Sequence, residues 1–142
     1  MGGATNELLG QCLCGGVRLR AVPEALHADA CHCGMCRRWG GGPMMTIGCG
    51  TSLVIEQGED LLRRFDSSDW GERAFCGRCG SHLFYRFKPQ EAHFVPVGLF
   101  GPIEGLEFTS EIFIDSKPSW YGFANPTRKM TEADVMAAFG AG

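Results

Sequence analysis

Cys76-Gly77-Arg78-Cys79-Gly80 is the stretch on which the fold turns. Two thiolates three residues apart in a tight turn can share one Zn²⁺ at ~2.3 Å, and glycine lets backbone N–H groups approach the sulfurs. A knuckle of this kind supplies half of a tetrahedral site, so a second pair has to come from elsewhere. Cys12-Leu13-Cys14 meets that need. If this segment is extended, residues i and i+2 project from one face, and both sulfurs can meet one metal. Cys12, Cys14, Cys76 and Cys79 are therefore read as a closed, four-thiolate structural zinc site that ties the first strand to the middle of the chain. Such a site can contribute on the order of 10 kcal/mol to folding. The alternative is a set of redox or unliganded cysteines, but a thioredoxin-like Cys-x-x-Cys wants a βαβ context that this sequence lacks.

Between the two pairs lies Cys31-His32-Cys33-Gly34-Met35-Cys36, three cysteines within six residues. A compact loop can wrap three thiolates around one metal but supplies no fourth. Three protein ligands with one open position is the pattern of a catalytic zinc, whereas structural sites are closed. His32 is a candidate fourth ligand, although its alternation with Cys31 and Cys33 points it away. The alternative is a second structural zinc completed by His32, Cys49 or another side chain. Cys49, in Ile47-Gly48-Cys49-Gly50, has no partner at ligand spacing and reads as a small buried hydrophobe. The expectation is two zinc ions per chain.

Eight cysteines in 142 residues is high, yet below the roughly 8–10% that marks a disulfide scaffold. The length favours one domain spanning residues 1–142, and 44% hydrophobic residues with 10 Phe and 3 Trp argue against disorder. Formal net charge is −3, and adjacent basic residues occur only as separated pairs: Arg37-Arg38, Arg63-Arg64 and Arg128-Lys129. No nucleic-acid or anionic-membrane partner is expected on that basis. Ionised ligands around two zinc ions would take the net charge to about −6, which strengthens the exclusion. MGGATNELLG lacks the basic and apolar regions of a secretory signal, and Asn6 fails the myristoylation pattern. No apolar run reaches the roughly 18 residues of a transmembrane helix. A cytoplasmic location follows, with reduced thiols, against the alternative of an exported disulfide protein.

The rest of the chain reads as mainly β. Val17-Arg18-Leu19-Arg20-Ala21-Val22 alternates apolar and basic residues, predicting a half-buried strand with its arginines outward. Further strands are predicted at 52–55, 61–65, 83–87, 93–100 and 111–114, with Pro96 marking an edge or a bulge. Strands at this spacing point to a sandwich or barrel. One helix is expected over 131–139: Thr131-Glu132-Ala133-Asp134 resembles a capping signal, Val135-Met136-Ala137-Ala138-Phe139 follows, and Gly140 is the expected stop.

Three motifs in order carry a family resemblance: Gln11-Cys12-Leu13-Cys14-Gly15-Gly16-Val17, then Cys31-His32-Cys33-x-x-Cys36-Arg37-Arg38, then Phe75-Cys76-x-x-Cys79-Gly80-Ser81. Ile112-Phe113 and Lys117-Pro118-Ser119-Trp120 add a closing strand and a Lys-x-x-Trp element. Over residues 11–123 the chain resembles the glutathione-dependent formaldehyde-activating (Gfa-like) family, which has a centromere protein V branch. The resemblance implies the Mss4-like fold, with mostly antiparallel β-sheets around a structural zinc, here followed by a short C-terminal helix. It implies that the outer four cysteines hold the structural zinc and that Cys31, Cys33 and Cys36 hold a catalytic one.

The activity so implied is a carbon–sulfur lyase reaction, the addition of glutathione to formaldehyde giving S-hydroxymethylglutathione. An open, thiolate-rich zinc suits it, because a coordinated thiol is deprotonated. Arg37 and Arg38 are candidates to hold a glutathione carboxylate by bidentate pairs, or else solvated surface residues. His32 and His82 are candidates for a proton relay, or else ordinary structural histidines. Trp39, Phe84 and Trp120 either line a pocket over the open zinc or serve as core or dimer contacts, so a homodimer is among the expected assemblies. Glu111 departs from the family, many of whose members carry His there. The competing reading is a non-catalytic zinc module that binds a protein partner.

Overall fold

The computed structural model describes residues 7–139. The glycine stop expected at Gly140, like the Asn6 position of the myristoylation pattern, lies outside them. Eleven strands and two helices follow in chain order: β1 (Leu8–Gln11), β2 (Arg18–Ala21), β3 (His27–Cys31), α1 (Gly34–Gly40), β4 (Met44–Gly50), β5 (Val54–Gln57), β6 (Leu62–Asp66), β7 (Gly71–Cys76), β8 (His82–Phe87), β9 (Ala92–Pro96), β10 (Glu107–Ile112), β11 (Arg128–Met130) and α2 (Glu132–Ala138). The described residues form two compact units. The first comprises residues 7–26 with Ile47–Gly105, the second His27–Thr46 with residues 106–139. No helix among the described residues is long and apolar enough to cross a membrane.

In the first unit β1, β2 and β5 make an antiparallel three-stranded sheet. The alternation at 17–22 does what a period of two requires: Val17, Leu19 and Ala21 are buried, while Arg18 and Val22 are exposed. Arg20, half-buried, bridges Glu7 at 3.0 Å and Glu56 at 2.8 Å. The same unit carries the run β9-β8-β7-β6, paired antiparallel throughout. Ala74, Cys76, Leu83, Phe84 and Val95 from these strands are fully buried. Phe84 meets His93 edge-on at 5.1 Å, so it is a core residue. Gly58 joins β5 to the next turn with φ +88°, and a Cβ there would stand 2.2 Å from the Gly16 carbonyl oxygen. Only glycine fits that close approach.

The second unit is built on β10, which pairs parallel with both β3 and β11, Ile112 lying opposite Cys31 and Met130. Parallel pairing requires a long connection between the strands, and here most of the chain separates β3 from β10. Helix α2 has the reciprocal cap expected of it. Asp134 N–H donates to Thr131 Oγ1 at 3.1 Å, and Thr131 N–H donates to Asp134 Oδ2 at 2.9 Å.

Two predicted strands end earlier than their sequences suggest. The run at 93–100 stops at Pro96 and continues as a 3-10 turn, Val97–Phe100. Proline has no N–H to extend a ladder, so it closes the strand instead of marking an edge or bulge. The strand predicted at 111–114 ends at Ile112, because Phe113 adopts φ +55° and starts a 3-10 turn.

Candidate metal centres

In the first unit β1 runs into a turn closed by the Gly15 N–H donating to the Cys12 carbonyl at 3.0 Å. Cys12 and Cys14 thus sit in a turn, where an extended pair was expected. Gly15, at φ +77°, makes the reversal possible. The turn still brings the Cys12 and Cys14 sulfurs to 3.6 Å. From the far end of β7, Cys76 Sγ lies 3.9 Å from Cys14 Sγ, and all four sulfurs of Cys12, Cys14, Cys76 and Cys79 fall within 4.8 Å of one another. A tetrahedral Zn–S₄ centre with bonds of ~2.3 Å sets its sulfurs ~3.8 Å apart, so the donor set fits zinc.

Backbone N–H groups face the sulfurs, as a cluster of ionised thiolates requires. Gly16 N–H donates to Cys14 Sγ at 3.4 Å, Val17 N–H to Cys12 Sγ at 3.3 Å and Arg78 N–H to Cys76 Sγ at 3.4 Å. The Ser81 hydroxyl lies 3.3 Å from Cys79 Sγ and also accepts from Leu13 N–H at 2.9 Å, joining the two halves. That hydroxyl is the first cause, with the Ser81 backbone N–H next, of a Cys79 thiol pulled down to about 5. Nothing in the sequence reading gave Ser81 a role. Its one signal was a hydroxyl placed two residues beyond a ligand.

The second cluster lies where β3 passes into α1. The sequence reading expected a loop here, and the structure gives a seven-residue helix instead. Cys33 is its N-cap, with Sγ accepting the Cys36 N–H at 3.3 Å, and Gly41 closes it in the left-handed conformation. This turn converges Cys31, Cys33 and Cys36, whose sulfurs lie within 4.8 Å of one another. Crowding pushes the Cys31 thiol well above its ordinary value, Cys33 contributing most and Cys36 next. A divalent cation among the sulfurs inverts that logic, since a coordinating thiol is deprotonated outright. Met44 Sδ stands 3.9 Å from Cys36 Sγ.

His32 does not join this cluster. It is fully buried and held on all sides. Its Nε2 is 2.8 Å from Glu111 Oε1 and its Nδ1 is 2.7 Å from the Tyr121 hydroxyl. Its N–H donates to the Ile112 carbonyl at 3.1 Å, and its own carbonyl accepts from Arg37 Nε at 3.0 Å. Glu111 is equally buried and also takes the Thr127 hydroxyl at 2.5 Å, with Lys129 Nζ at 3.6 Å. Burial pushes its carboxyl up, but hydrogen bonds from Thr127 and His32 outweigh that and leave it below the usual range. Tyr121 and Thr127 were missed from sequence; Tyr121 adjoins the Lys-x-x-Trp element that was noticed.

The remaining candidates are dispersed. Arg37 is half-buried and engaged with the His32 carbonyl, whereas Arg38 is exposed on α1. His82 opens β8 in the first unit, its imidazole held below the ordinary value by burial and then by Arg73. Trp39 is half-buried in α1, and Trp120 is 73% exposed with its ring 4.8 Å from Tyr121. Cys49 is fully buried with Sγ 3.7 Å from the Ile47 carbonyl, and burial followed by Glu24 raises its thiol to about 12.

The family model of the glutathione-dependent formaldehyde-activating enzyme matches residues 7–116. An uncharacterized lyase of Schizosaccharomyces pombe is 34% identical over 131 residues, covering 92% of this chain and 95% of that protein. A Halomonas elongata protein, provisionally named a glutathione-dependent formaldehyde-activating enzyme, is 30% identical over 123 residues, covering 80% and 78%. A crystal structure of a Rhodobacter sphaeroides protein superposes with a TM-score of 0.61 at 20% identity, over 72% of this chain and 100% of that one, which bears on the fold alone. With the family model spanning most of its length, the chain belongs to the glutathione-dependent formaldehyde-activating enzyme family.

Proposed function

We propose that the protein is a zinc-dependent, carbon–sulfur lyase-type enzyme that joins glutathione and formaldehyde to form S-hydroxymethylglutathione. The observation that carries this reading is the three-sulfur cluster of Cys31, Cys33 and Cys36, which among the described residues gathers no fourth Cys, His, Asp or Glu donor. Three protein ligands and one free position are what a catalytic zinc uses and what a structural zinc avoids. The names of the family and of its Halomonas elongata relative support glutathione and formaldehyde as substrates.

Cys31, Cys33 and Cys36 would hold the ion, with the Cys36 N–H stabilising the Cys33 thiolate. When bound, zinc supplies a positive centre that favours the ionised form of a thiol. The glutathione sulfur attacks the formaldehyde carbon, a C–S bond forms, and the C=O π pair moves to oxygen, which takes up a proton. Arg38 on the exposed face of α1 and the guanidinium N–H groups of Arg37 beyond Nε are the candidate carboxylate holders. His32, with both ring nitrogens hydrogen-bonded within the protein, takes a positional role. No step is assigned to His82.

The test is exchange NMR with ¹³C-formaldehyde and glutathione in the presence of zinc-loaded protein. Interconversion of free and S-hydroxymethylated glutathione should exceed the protein-free rate, and Cys33→Ala should abolish the excess. Equal rates with and without protein would overturn the reading. An absence of any glutathione contact at millimolar concentration would favour another thiol or the partner-binding module.

A further inference from the structure

His32 stands between two cysteines of the second cluster, at the position a fourth zinc ligand would be sought. To coordinate, an imidazole must offer the metal a ring nitrogen lone pair. Both ring nitrogens of His32 are committed within the protein. The Glu111 carboxylate, an acceptor, takes the Nε2–H at 2.8 Å, and that tautomer leaves the Nδ1 lone pair for the Tyr121 O–H at 2.7 Å. The opposite tautomer would set a nitrogen lone pair against a buried carboxylate that already receives Thr127. Metal-bound histidines do something else, offering one nitrogen to the ion and donating from the other to a neighbouring acceptor.

We propose that Glu111 and Tyr121, by occupying the two ring nitrogens of His32, are positioning residues that hold the second cluster in its three-thiolate form and keep histidine out of the metal's coordination shell. The main chain completes the device. His32 N–H is tied to Ile112 and its carbonyl to Arg37, so the residue between Cys31 and Cys33 is fixed through four hydrogen bonds. Pinning His32 fixes the directions in which its two neighbours present their sulfurs. Aromatic rings close the other side: Tyr121 lies 5.5 Å and Phe123 6.0 Å from the imidazole, and Phe108 meets Phe123 edge-on at 4.9 Å. The exposed Trp120 and the buried Glu111 thereby become parts of one support, the first meeting Tyr121 edge-on and the second carrying the chain of hydrogen bonds on to Thr127.

The proposal rests on the second cluster being a metal site, but its test reads coordination, apart from turnover. The full chain is loaded with two equivalents of ¹¹³Cd²⁺ and labelled with ¹⁵N-histidine, and second-site affinity for Zn²⁺ is measured by chelator competition. The wild type should show no ¹¹³Cd–¹⁵N coupling at His32. Tyr121→Phe and Glu111→Ala should weaken the second site roughly 10- to 100-fold while sparing the first, and Glu111→Gln, which keeps the acceptor, should recover most of the loss. Coupling at His32 in the wild type would overturn the proposal without any variant having to fold. So would a folded Tyr121→Phe protein of unchanged second-site affinity. Uptake of a single equivalent by the wild type would remove the site on which both this inference and the proposed function stand. A normal metal pattern without glutathione–formaldehyde exchange would sink the function alone.

Discussion

Cys14 Sγ lies 3.9 Å from Cys76 Sγ although 62 positions separate the two residues. A metal shared across that separation closes a long loop and links the turn after β1 to the end of β7, whereas the second cluster spans only Cys31 to Cys36. Closing a long loop constrains the chain far more than closing a short one. Zinc analysis should therefore find about two ions per chain. Cys76→Ala should lose the first and unfold or precipitate, while Cys33→Ala should lose the second and keep its circular dichroism spectrum. If Cys33→Ala is as damaging to the fold as Cys76→Ala, the second site is structural.

Cys49 tests the division of the cysteines from the other side. It is fully buried, its thiol is raised to about 12, and it belongs to neither sulfur cluster. Cys49→Ala should keep the full zinc content and cost only about 1 kcal/mol in denaturant unfolding, the usual scale for trimming a small buried side chain. Loss of metal from this variant would place Cys49 in a coordination sphere.

The four-cysteine cluster was legible in the sequence because ligand chemistry leaves a spacing signature that survives any local conformation. Cys12 and Cys14 meet even though they lie in a turn. The strand at 17–22 was legible because a period of two coincided with one-sided burial at Val17, Leu19 and Ala21, whereas β6 and β8 were legible as short runs with apolar and aromatic residues but without that alternation. β7 went unseen because Gly71-Glu72-Arg73-Ala74 reads as polar, yet Glu72 and Arg73 are buried, with Arg64, Arg86 and Ser67 meeting their charges. β3 escaped for the opposite reason: Ala28 and Ala30 are its buried residues, too small to mark a strand. The Glu111–His32–Tyr121 chain was beyond sequence reasoning because 79 and 89 positions separate His32 from its two partners and no spacing rule connects them.

Gly58 gives a backbone test of the four-cysteine cluster as a metal site. A Cβ at φ +88° is strained, and at 2.2 Å from the Gly16 carbonyl it must displace main chain. Gly16 in turn donates its N–H to Cys14 Sγ. Gly58→Ala should cost on the order of 2–4 kcal/mol and, through Gly16, speed the release of zinc from the first site to a chelator. A melting temperature and release rate matching the wild type would show that this approach does not support the metal loop.

Glu72 supplies the pH dependence. Burial raises its carboxyl, but hydrogen bonds from Arg86 and then Arg64, both at 3.0 Å, outweigh burial and bring it below the ordinary value. A folded value below the unfolded one means that the native state holds this proton less tightly. The stabilisation is then complete above the unfolded carboxyl value of about 4.3 and is lost as pH falls through the lower folded value. Glu72→Gln keeps the shape and removes the charge, leaving Arg64 and Arg86 facing each other across β7 without their shared anion. The variant should be less stable than the wild type near neutrality, and the gap should narrow as the pH drops below about 4. Urea midpoints for both proteins from pH 7 down to the acid limb measure the difference, and a gap that stays constant across that range would rule out the carboxylate as its source.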